Sequence, residues 1–245
     1  MDPEQDTPTR ALRQALHALA GTGSSSSQGG RYLGSPHPLL GVTTPDLRRL
    51  ARGWVAADKR RTPETILALA DALFASPLHD EKTLAALILG YSRPARRAAT
   101  PARVDGWLGR LVGWAEIDAL CSNVFQAEDL LGDWAAWAPW LQGLTADPDI
   151  NKRRAALVLL TGPVRRSADP RLLEAALYAL GQLQAERAPL ITKAVSWLLR
   201  TLTLQHREVV ARYLEQHRAA LPAIALREVS NKLATGRKSG GGRPS

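Results

Sequence analysis

Residues 43–74 are TTPDLRRLARGWVAADKRRTPETILALADALF, and this stretch decides the fold class. Each half begins with Thr-Pro, and proline is favoured at the first position of a helix, where its missing N–H needs no partner. After the second Thr-Pro, apolar residues recur at Ile66, Leu69, Ala70 and Leu73. Spacings of i, i+3, i+4 and i+7 are typical of one face of an amphipathic helix. The stretch therefore predicts two consecutive helices joined by a short connection.

The rest of the chain repeats this pattern, in which a proline or small polar residue precedes 12 to 18 residues of helical periodicity. We expect further helices at 8–20, 84–91, 101–112, 116–131, 134–143, 149–161, 170–184, 188–203, 205–217 and 221–235. No segment alternates apolar and polar residues over the length of a strand, so a sheet is not expected. Helix pairs that recur about every 35 to 45 residues favour an all-α, HEAT-like helical-repeat solenoid with a concave basic face.

Two segments of low sequence complexity fall outside this pattern. GTGSSSSQGG at 21–30 predicts a flexible joint that follows an N-terminal helix within 1–20. The repeat domain is then expected over 31–236. The remaining residues, 237–245, are rich in glycine and basic side chains and predict a disordered tail.

Composition indicates a globular protein with an anionic partner. Hydrophobic residues make up 45% of the 245 residues, but no run of 18 apolar residues occurs, so no membrane-spanning segment is expected. The net charge is +9, and 26 of the 32 basic residues are arginine, which binds phosphates in a bidentate manner. A nucleic-acid partner is favoured over the alternative, a solvated basic surface. A single cysteine and an N-terminus without a signal-peptide pattern favour the cytoplasm.

The common motifs of metal- and nucleotide-dependent enzymes are absent from the sequence. It contains no GxxxxGK[ST] phosphate loop, no GxGxxG after a strand and no HExxH. The five histidines are scattered, and none forms a metal-ligand pair with Cys121. We therefore expect neither a metal nor an organic cofactor. Cys121 has no base nearby in sequence and is predicted to be a packing residue.

Tryptophan, carboxylate and arginine side chains occur together at helical spacing in two segments. Trp114 and Asp118 are four residues apart, so an indole and a carboxylate lie one turn apart on one helix face. Trp197 and Arg200 are three residues apart and share a face in the same way. Each pair also has a structural interpretation, because tryptophans on amphipathic helices usually belong to the core. The tryptophans at 134, 137 and 140 are interpreted as core alone.

Two further segments carry candidate site residues near predicted helix starts. Arg153 and Arg154 follow one such start, and they are alternatives for one position because a shift of one residue changes the helix face. Paired arginines are also commonly solvated. Tyr32 precedes the helix that begins near Thr44.

At these residues the sequence resembles the DNA alkylation repair glycosylases of the AlkD type, over about residues 30–238. The resemblance rests on four ordered blocks, with x for any residue. They are Tyr-Leu-x-Ser-Pro-x-Pro-x-Leu-Gly-Val at 32–42, Trp-x-x-x-Asp-x-Leu-Cys at 114–121, Arg-Arg-Ala-Ala-Leu at 153–157 and Lys-Ala-x-x-Trp-x-Leu-Arg at 193–200. The last block is the most specific. Thr43 stands where some members have glutamine, and Gly162 where some have a basic residue.

The resemblance implies a monomeric HEAT-like enzyme that grips duplex DNA and hydrolyses the N-glycosidic bond of N3- or N7-alkylated purines, without base flipping, a metal or a cofactor. The implied catalytic residues are Trp114, Asp118, Arg154 and Trp197. The implied DNA-binding residues are Tyr32, Thr43, Arg153, Lys193 and Arg200. The alternative carboxylates are Glu116 and Asp129.

The implied chemistry fits these residue types. A purine alkylated at N3 or N7 is cationic and already a good leaving group, so positive charge builds on the sugar in the transition state. Asp118 would stabilise that charge, the indoles of Trp114 and Trp197 would pack on the sugar, and Arg154 would hold a phosphate. Two alternatives remain open, a non-catalytic helical-repeat scaffold that binds DNA or protein and a glycosylase for bulky adducts.

Overall fold

The structure is a computed structural model that describes residues 3–22, 32–122 and 124–239, with side chains from Thr9 onward. All regular secondary structure within these residues is helical, in fourteen helices, and no strand occurs among them. The prediction of an all-α protein is therefore confirmed. The chain divides into two compact units, Met1–Val124 and Phe125–Ser245. The solenoid arrangement and its concave face stay predictions.

The first unit contains seven of these helices. They are α1 Pro3–His17, α2 Thr44–Ala57, α3 Pro63–Phe74, α4 His79–Tyr91, α5 Arg93–Ala98, α6 Pro101–Leu108 and α7 Gly113–Cys121. Four of the six after α1 begin with the same device, a hydroxyl N-cap followed by proline at the first or second helical position. The N-cap residues are Thr43, Thr62, Ser92 and Thr100. The Thr-Pro starts therefore work as predicted, because the hydroxyl satisfies an N–H that the first turn leaves free.

The second unit contains the other seven described helices. They are α8 Ala127–Leu131, α9 Trp134–Leu144, α10 Ile150–Arg166, α11 Pro170–Leu183, α12 Pro189–Leu202, α13 Arg207–Gln216 and α14 Ala223–Thr235. Helix α10 forms the centre of this unit and packs on α11 and α12, and α12 in turn packs on α14. Every residue of 154–164 is buried.

The N-terminal helix packs against the rest of the first unit. Leu12 and Leu16 of α1 are buried, and the Arg13 guanidinium contacts two sites beyond its own helix. It donates a 3.0 Å hydrogen bond to the Glu81 carboxylate and a 3.2 Å bond to the Ala72 carbonyl oxygen. Of the predicted joint, residues 23–30 lie outside the described part of the chain. At its start, the N–H of Gly21 donates to the Leu40 carbonyl oxygen at 3.0 Å.

Two local predictions were wrong, and one helix was missed. The predicted helix 116–131 is two helices, since α7 ends at Cys121 and a capping box at Gln126 starts α8. Buried Val124 and Phe125 continue the apolar pattern through this break. Helix α10 runs past the predicted end at 161, and a proline within it, Pro163, is tolerated inside the buried core. Helix α5 was not predicted.

Three further expectations concern the tryptophans, the tail and the membrane. Trp137 is buried with its ring centroid 5.3 Å from Phe125, but Trp134 and Trp140 are half-buried, so only Trp137 fully fits the core interpretation. Of the predicted tail, residues 240–245 lie outside the described part. None of the described helices has the length and apolar character needed to cross a bilayer.

Candidate nucleic-acid site

Tyr32 and Trp114, both predicted site residues, lie against each other in the first unit. The Trp114 indole Nε1–H donates a 2.8 Å hydrogen bond to the backbone carbonyl oxygen of Tyr32. The two rings meet edge to face, with centroids 5.6 Å apart and planes at 86°. The Tyr32 side chain is 75% exposed and Trp114 is half-buried, so the pair offers aromatic surface to solvent.

Two glycines allow the segment that carries Tyr32 to approach the start of α7. Both have a left-handed backbone, with φ of 68° at Gly34 and 81° at Gly113. A Cβ atom on Gly113 would overlap the Gly34 carbonyl, so no other residue fits this contact without a backbone shift. No sequence pattern marks either glycine as part of the site. A close approach between residues so far apart leaves no local pattern.

A buried carboxylate, Glu116, joins the same segment to α7 and α4. Its oxygens accept hydrogen bonds from the Ser35 hydroxyl at 2.5 Å, from His37 Nδ1 at 2.8 Å and from His79 Nδ1 at 3.0 Å. They also accept, at 2.9 Å, the backbone N–H of Val112, the N-cap residue of α7. We call Glu116 and these four donors the Glu116 cluster.

The Glu116 cluster keeps its carboxylate ionised. Burial alone would raise the pKa of Glu116, but the hydrogen bonds from the surrounding donors lower it from 4.5 to about 2. Glu116 is only 1% exposed. The side chain therefore serves the internal structure of the first unit, and Asp118 is the better exposed carboxylate of α7.

Asp118 lies one helical turn after Trp114 and is half-buried. Its neighbour Cys121 is fully buried, as expected for a packing residue. The other alternative carboxylate, Asp129, is 5% exposed and accepts the backbone N–H of Gln126 at 2.9 Å within the capping box of α8. Its burial makes Asp129 a poor candidate for contact with a sugar.

Arg154 belongs to the second unit and is held inside it. The Asp149 carboxylate caps α10 by accepting the N–H of Asn151 at 2.8 Å, and Arg154 is the fifth residue of this helix, at the start of its second turn. Arg154 is 4% exposed, and its guanidinium donates to the Leu190 carbonyl oxygen in the first turn of α12. In the structure Arg154 joins the start of α10 to the start of α12, and the phosphate contact implied by the resemblance stays a prediction.

The competing arginine, Arg153, has its guanidinium engaged within the second unit. It forms an ion pair with Glu186, with Nε–Oε1 at 2.8 Å and Nη2–Oε2 at 3.3 Å. The same group donates to the carbonyl oxygen of Asp147 at 2.8 Å. These contacts connect the beginning of α10 to the connection before α12.

Lys193, Trp197 and Arg200 share one face of α12. They follow one another at i, i+4 and i+7, whereas most of the residues between them are buried. Lys193 is exposed, and Trp197 and Arg200 are half-buried. Spacing alone predicts that Trp197 and Arg200 share a helix face, whereas Lys193 was implied only by the family resemblance.

Arg200 is anchored by a carboxylate from α14. Its Nε lies 3.2 Å from Glu228 Oε2, which also accepts the buried Ser196 hydroxyl at 2.6 Å, and Lys238 Nζ lies 3.3 Å from Glu228 Oε1. Burial lowers the pKa of Arg200, although the charge of Glu228 acts in the opposite direction. Burial alone would raise the pKa of Glu228, but Ser196 and Lys238 hold it below its ordinary value.

Thr43, the remaining predicted DNA contact, is the N-cap of α2. Its Oγ1 accepts the N–H of Asp46 at 3.2 Å and donates to the Asp46 carboxylate at 2.7 Å. The hydroxyl is therefore engaged in starting the helix.

The family of DNA alkylation repair enzymes matches the chain over residues 12–233, from α1 to α14. The chain belongs to this family. No curated protein matches it. Membership confirms the resemblance drawn from the four sequence blocks and indicates a DNA partner and a role in the repair of alkylation damage.

Each of the two units brings together some of the residues that the resemblance to this family implies. In this DNA alkylation repair enzyme the first unit brings together Tyr32 and Trp114, with Asp118 one turn away. The second unit brings together Lys193, Trp197 and Arg200. No cluster of His, Cys, Asp and Glu with the arrangement of a metal site occurs in the described ranges.

Proposed function

We propose that this DNA alkylation repair enzyme is a glycosylase that hydrolyses the N-glycosidic bond of N3- or N7-alkylated purines in duplex DNA. The observation that carries the proposal is the Tyr32–Trp114 pair with Asp118 one turn further along α7. An exposed aromatic pair next to a partly exposed carboxylate can stabilise a deoxyribose that carries positive charge. Release of the base would be the first step of base excision repair.

The proposed reaction places positive charge where Asp118 and Trp114 can stabilise it. As the bond from C1′ to the purine nitrogen breaks, its electron pair neutralises the cationic base, and the sugar takes on oxocarbenium character. A carboxylate stabilises that charge, and the negative face of an indole does so to a smaller extent. Water then adds to C1′, and Asp118 orients the water and accepts its proton. The leaving base needs no general acid because it already carries positive charge.

We assign the second unit to phosphate binding and positioning. Lys193 and Arg200 present cationic groups on either side of Trp197 on one helix face, which suits successive phosphates of a backbone. Because Arg154 contacts the Leu190 carbonyl, we propose that it supports this face by fixing the start of α12. We expect the alkylated base to stay stacked in the DNA duplex, since contacts with the DNA backbone account for the roles proposed for these residues. We also propose a HEAT-like repeat arrangement with a basic concave face, acting as a monomer in the cytoplasm.

The test is release of free base from duplex DNA that contains N7-methylguanine or N3-methyladenine. We expect the wild type to release base and Asp118→Asn to be slower by about 100-fold or more, because the amide removes the charge that stabilises the transition state. Asp105→Asn is the matched control, since Asp105 is half-buried on α6 of the same unit. It should keep the wild-type rate.

Three results would contradict the proposal. Binding of damaged duplex without release by the wild type would favour the non-catalytic scaffold. Equal rates for wild type and Asp118→Asn would remove Asp118 from the reaction. An affinity for undamaged duplex that does not fall with rising salt would exclude a phosphate-binding face.

A further inference from the structure

Two carboxylates of the first unit anchor the segment that carries Tyr32 at separate places. Its later part is held by the Asp80 carboxylate, which accepts the N–H of Leu40 at 2.7 Å and that of Val42 at 3.1 Å. Its earlier part is held by Glu116, through the side chains of Ser35 and His37. Loss of one anchor therefore leaves the other in place.

The Glu116 anchor is the one that leads to Trp114. Ser35 follows Gly34, whose carbonyl meets Gly113 at the start of α7. Two residues before Gly34, the Tyr32 carbonyl oxygen accepts the Trp114 indole N–H. On the helix side, the same carboxylate accepts the N–H of Val112 and so fixes the first turn that carries Trp114. One side chain thus controls both partners of the aromatic pair.

We propose that Glu116 is a positioning residue whose carboxylate holds Tyr32 on Trp114 and thereby sets the orientation of the indole beside Asp118. The inference rests on the proposed function only for the consequence in catalysis. Its structural part concerns the Tyr32–Trp114 contact alone.

A carboxylate is required at this position because every neighbour of Glu116 donates. Two oxygens receive a hydroxyl, two imidazole Nδ1 groups and one backbone N–H. A glutamine has one acceptor oxygen, and its NH₂ group would face donors. Glu116→Gln therefore releases the earlier anchor of the segment, while the later anchor at Asp80 remains.

The matched control is Glu81→Gln. Glu81 is a second buried carboxylate of the first unit, 3% exposed and paired with Arg13 of α1, away from residues 32–42. Removal of its charge should lower stability without movement of Tyr32. Variants that disturb only the donors, Ser35→Ala and His37→Ala, keep Glu116 and provide the test if Glu116→Gln does not fold.

The direct test is hydrogen exchange at the Trp114 indole N–H, observed by NMR on the full chain. The signal is assigned as the one that Trp114→Phe lacks. We expect exchange on the order of tenfold faster in Glu116→Gln or in Ser35→Ala/His37→Ala, because the hydrogen bond to Tyr32 opens more often. Glu81→Gln should keep the wild-type exchange rate. Equal exchange in wild type and in the Glu116 and donor variants overturns the proposal.

Base release provides the second measurement, by a double-mutant cycle with Trp114→Phe, which lacks the indole N–H that the Tyr32 carbonyl oxygen accepts. Glu116→Gln should slow single-turnover release on the order of tenfold with little change in DNA affinity, and should have no further effect once residue 114 is phenylalanine. Full additivity of the two changes would overturn the positioning role. If the wild type releases no base, the proposed function fails, whereas the indole exchange still decides whether Glu116 holds the Tyr32–Trp114 contact.

Discussion

The two units hold their candidate site residues in different ways. In the first unit, Tyr32 and Trp114 come from segments 82 residues apart and meet through a glycine contact and a buried carboxylate. In the second unit, Lys193, Trp197 and Arg200 lie on a single helix. The first arrangement depends on long-range packing, and the second follows from the periodicity of one helix. Changes in the first unit should therefore affect stability and geometry together, whereas changes on the α12 face should affect mainly DNA binding.

Gly113→Ala should have the largest effect on stability. The new Cβ would overlap the Gly34 carbonyl, and alanine disfavours the positive φ at this position. We expect a loss of at least about 3 kcal/mol in the free energy of unfolding, together with loss of base release. Urea denaturation measures the first quantity.

The control for this change is Gly106→Ala in α6, where a Cβ meets nothing within 4 Å. Alanine there should stabilise the helix by up to about 1 kcal/mol. A Gly113→Ala protein as stable as the wild type would show that the first unit does not depend on the glycine contact.

The second largest effect on stability is expected at acidic pH, where protonation of Glu116 removes its contribution to the free energy of unfolding. Its pKa is about 2 in the folded protein and about 4.5 when unfolded, so its stabilising effect is complete above pH 4.5 and is lost as the pH falls towards 2. Wild type should exceed Glu116→Gln by about 3 kcal/mol at neutral pH, and the difference should shrink through this range. A difference that stays constant between pH 5 and pH 2.5 would contradict the ionised, hydrogen-bonded carboxylate.

A smaller loss of stability is expected in the second unit for Glu228→Gln. The amide can still accept from Ser196, but the charge that faces Arg200 and Lys238 disappears. We expect a loss of about 1–2 kcal/mol in urea denaturation, because the pair is only partly buried. Glu174→Gln, at an exposed position of α11, should change stability by less than about 0.5 kcal/mol. Equal effects of the two substitutions would mean that Glu228 does not anchor Arg200.

Lys193→Ala should have the smallest effect on stability, within about 0.5 kcal/mol, because the side chain is exposed. Its effect should appear in DNA binding, as a weaker affinity for undamaged duplex and a reduction of about 1 in the salt slope. Arg218→Ala, an exposed cation in the connection after α13, serves as the control and should leave the slope unchanged. A Lys193→Ala protein with the wild-type slope would remove the α12 face from the phosphate contacts.

Much of the second-unit face could be predicted from sequence, because a helix repeats every 3.6 residues and spacing alone places side chains on one face. The same reasoning failed between 116 and 131, where Val124 and Phe125 continue the apolar pattern across a break. Spacing also places Arg154 near the start of α10 without showing what its side chain contacts. One-dimensional spacing identifies a helix face but not the neighbour that covers it, which here is Leu190 of α12.

The sequence by itself determined the all-helical class, the Thr-Pro helix starts, the family and the order of the candidate residues along the chain. These properties depend on local chemistry, since capping, periodicity and short motifs act within a few residues. Only the tertiary structure decided that Tyr32 lies on Trp114, that Glu116 anchors the segment that carries Tyr32 and that Gly113 permits the close approach. Contacts between distant segments depend on the folded backbone, which no local pattern of residues specifies.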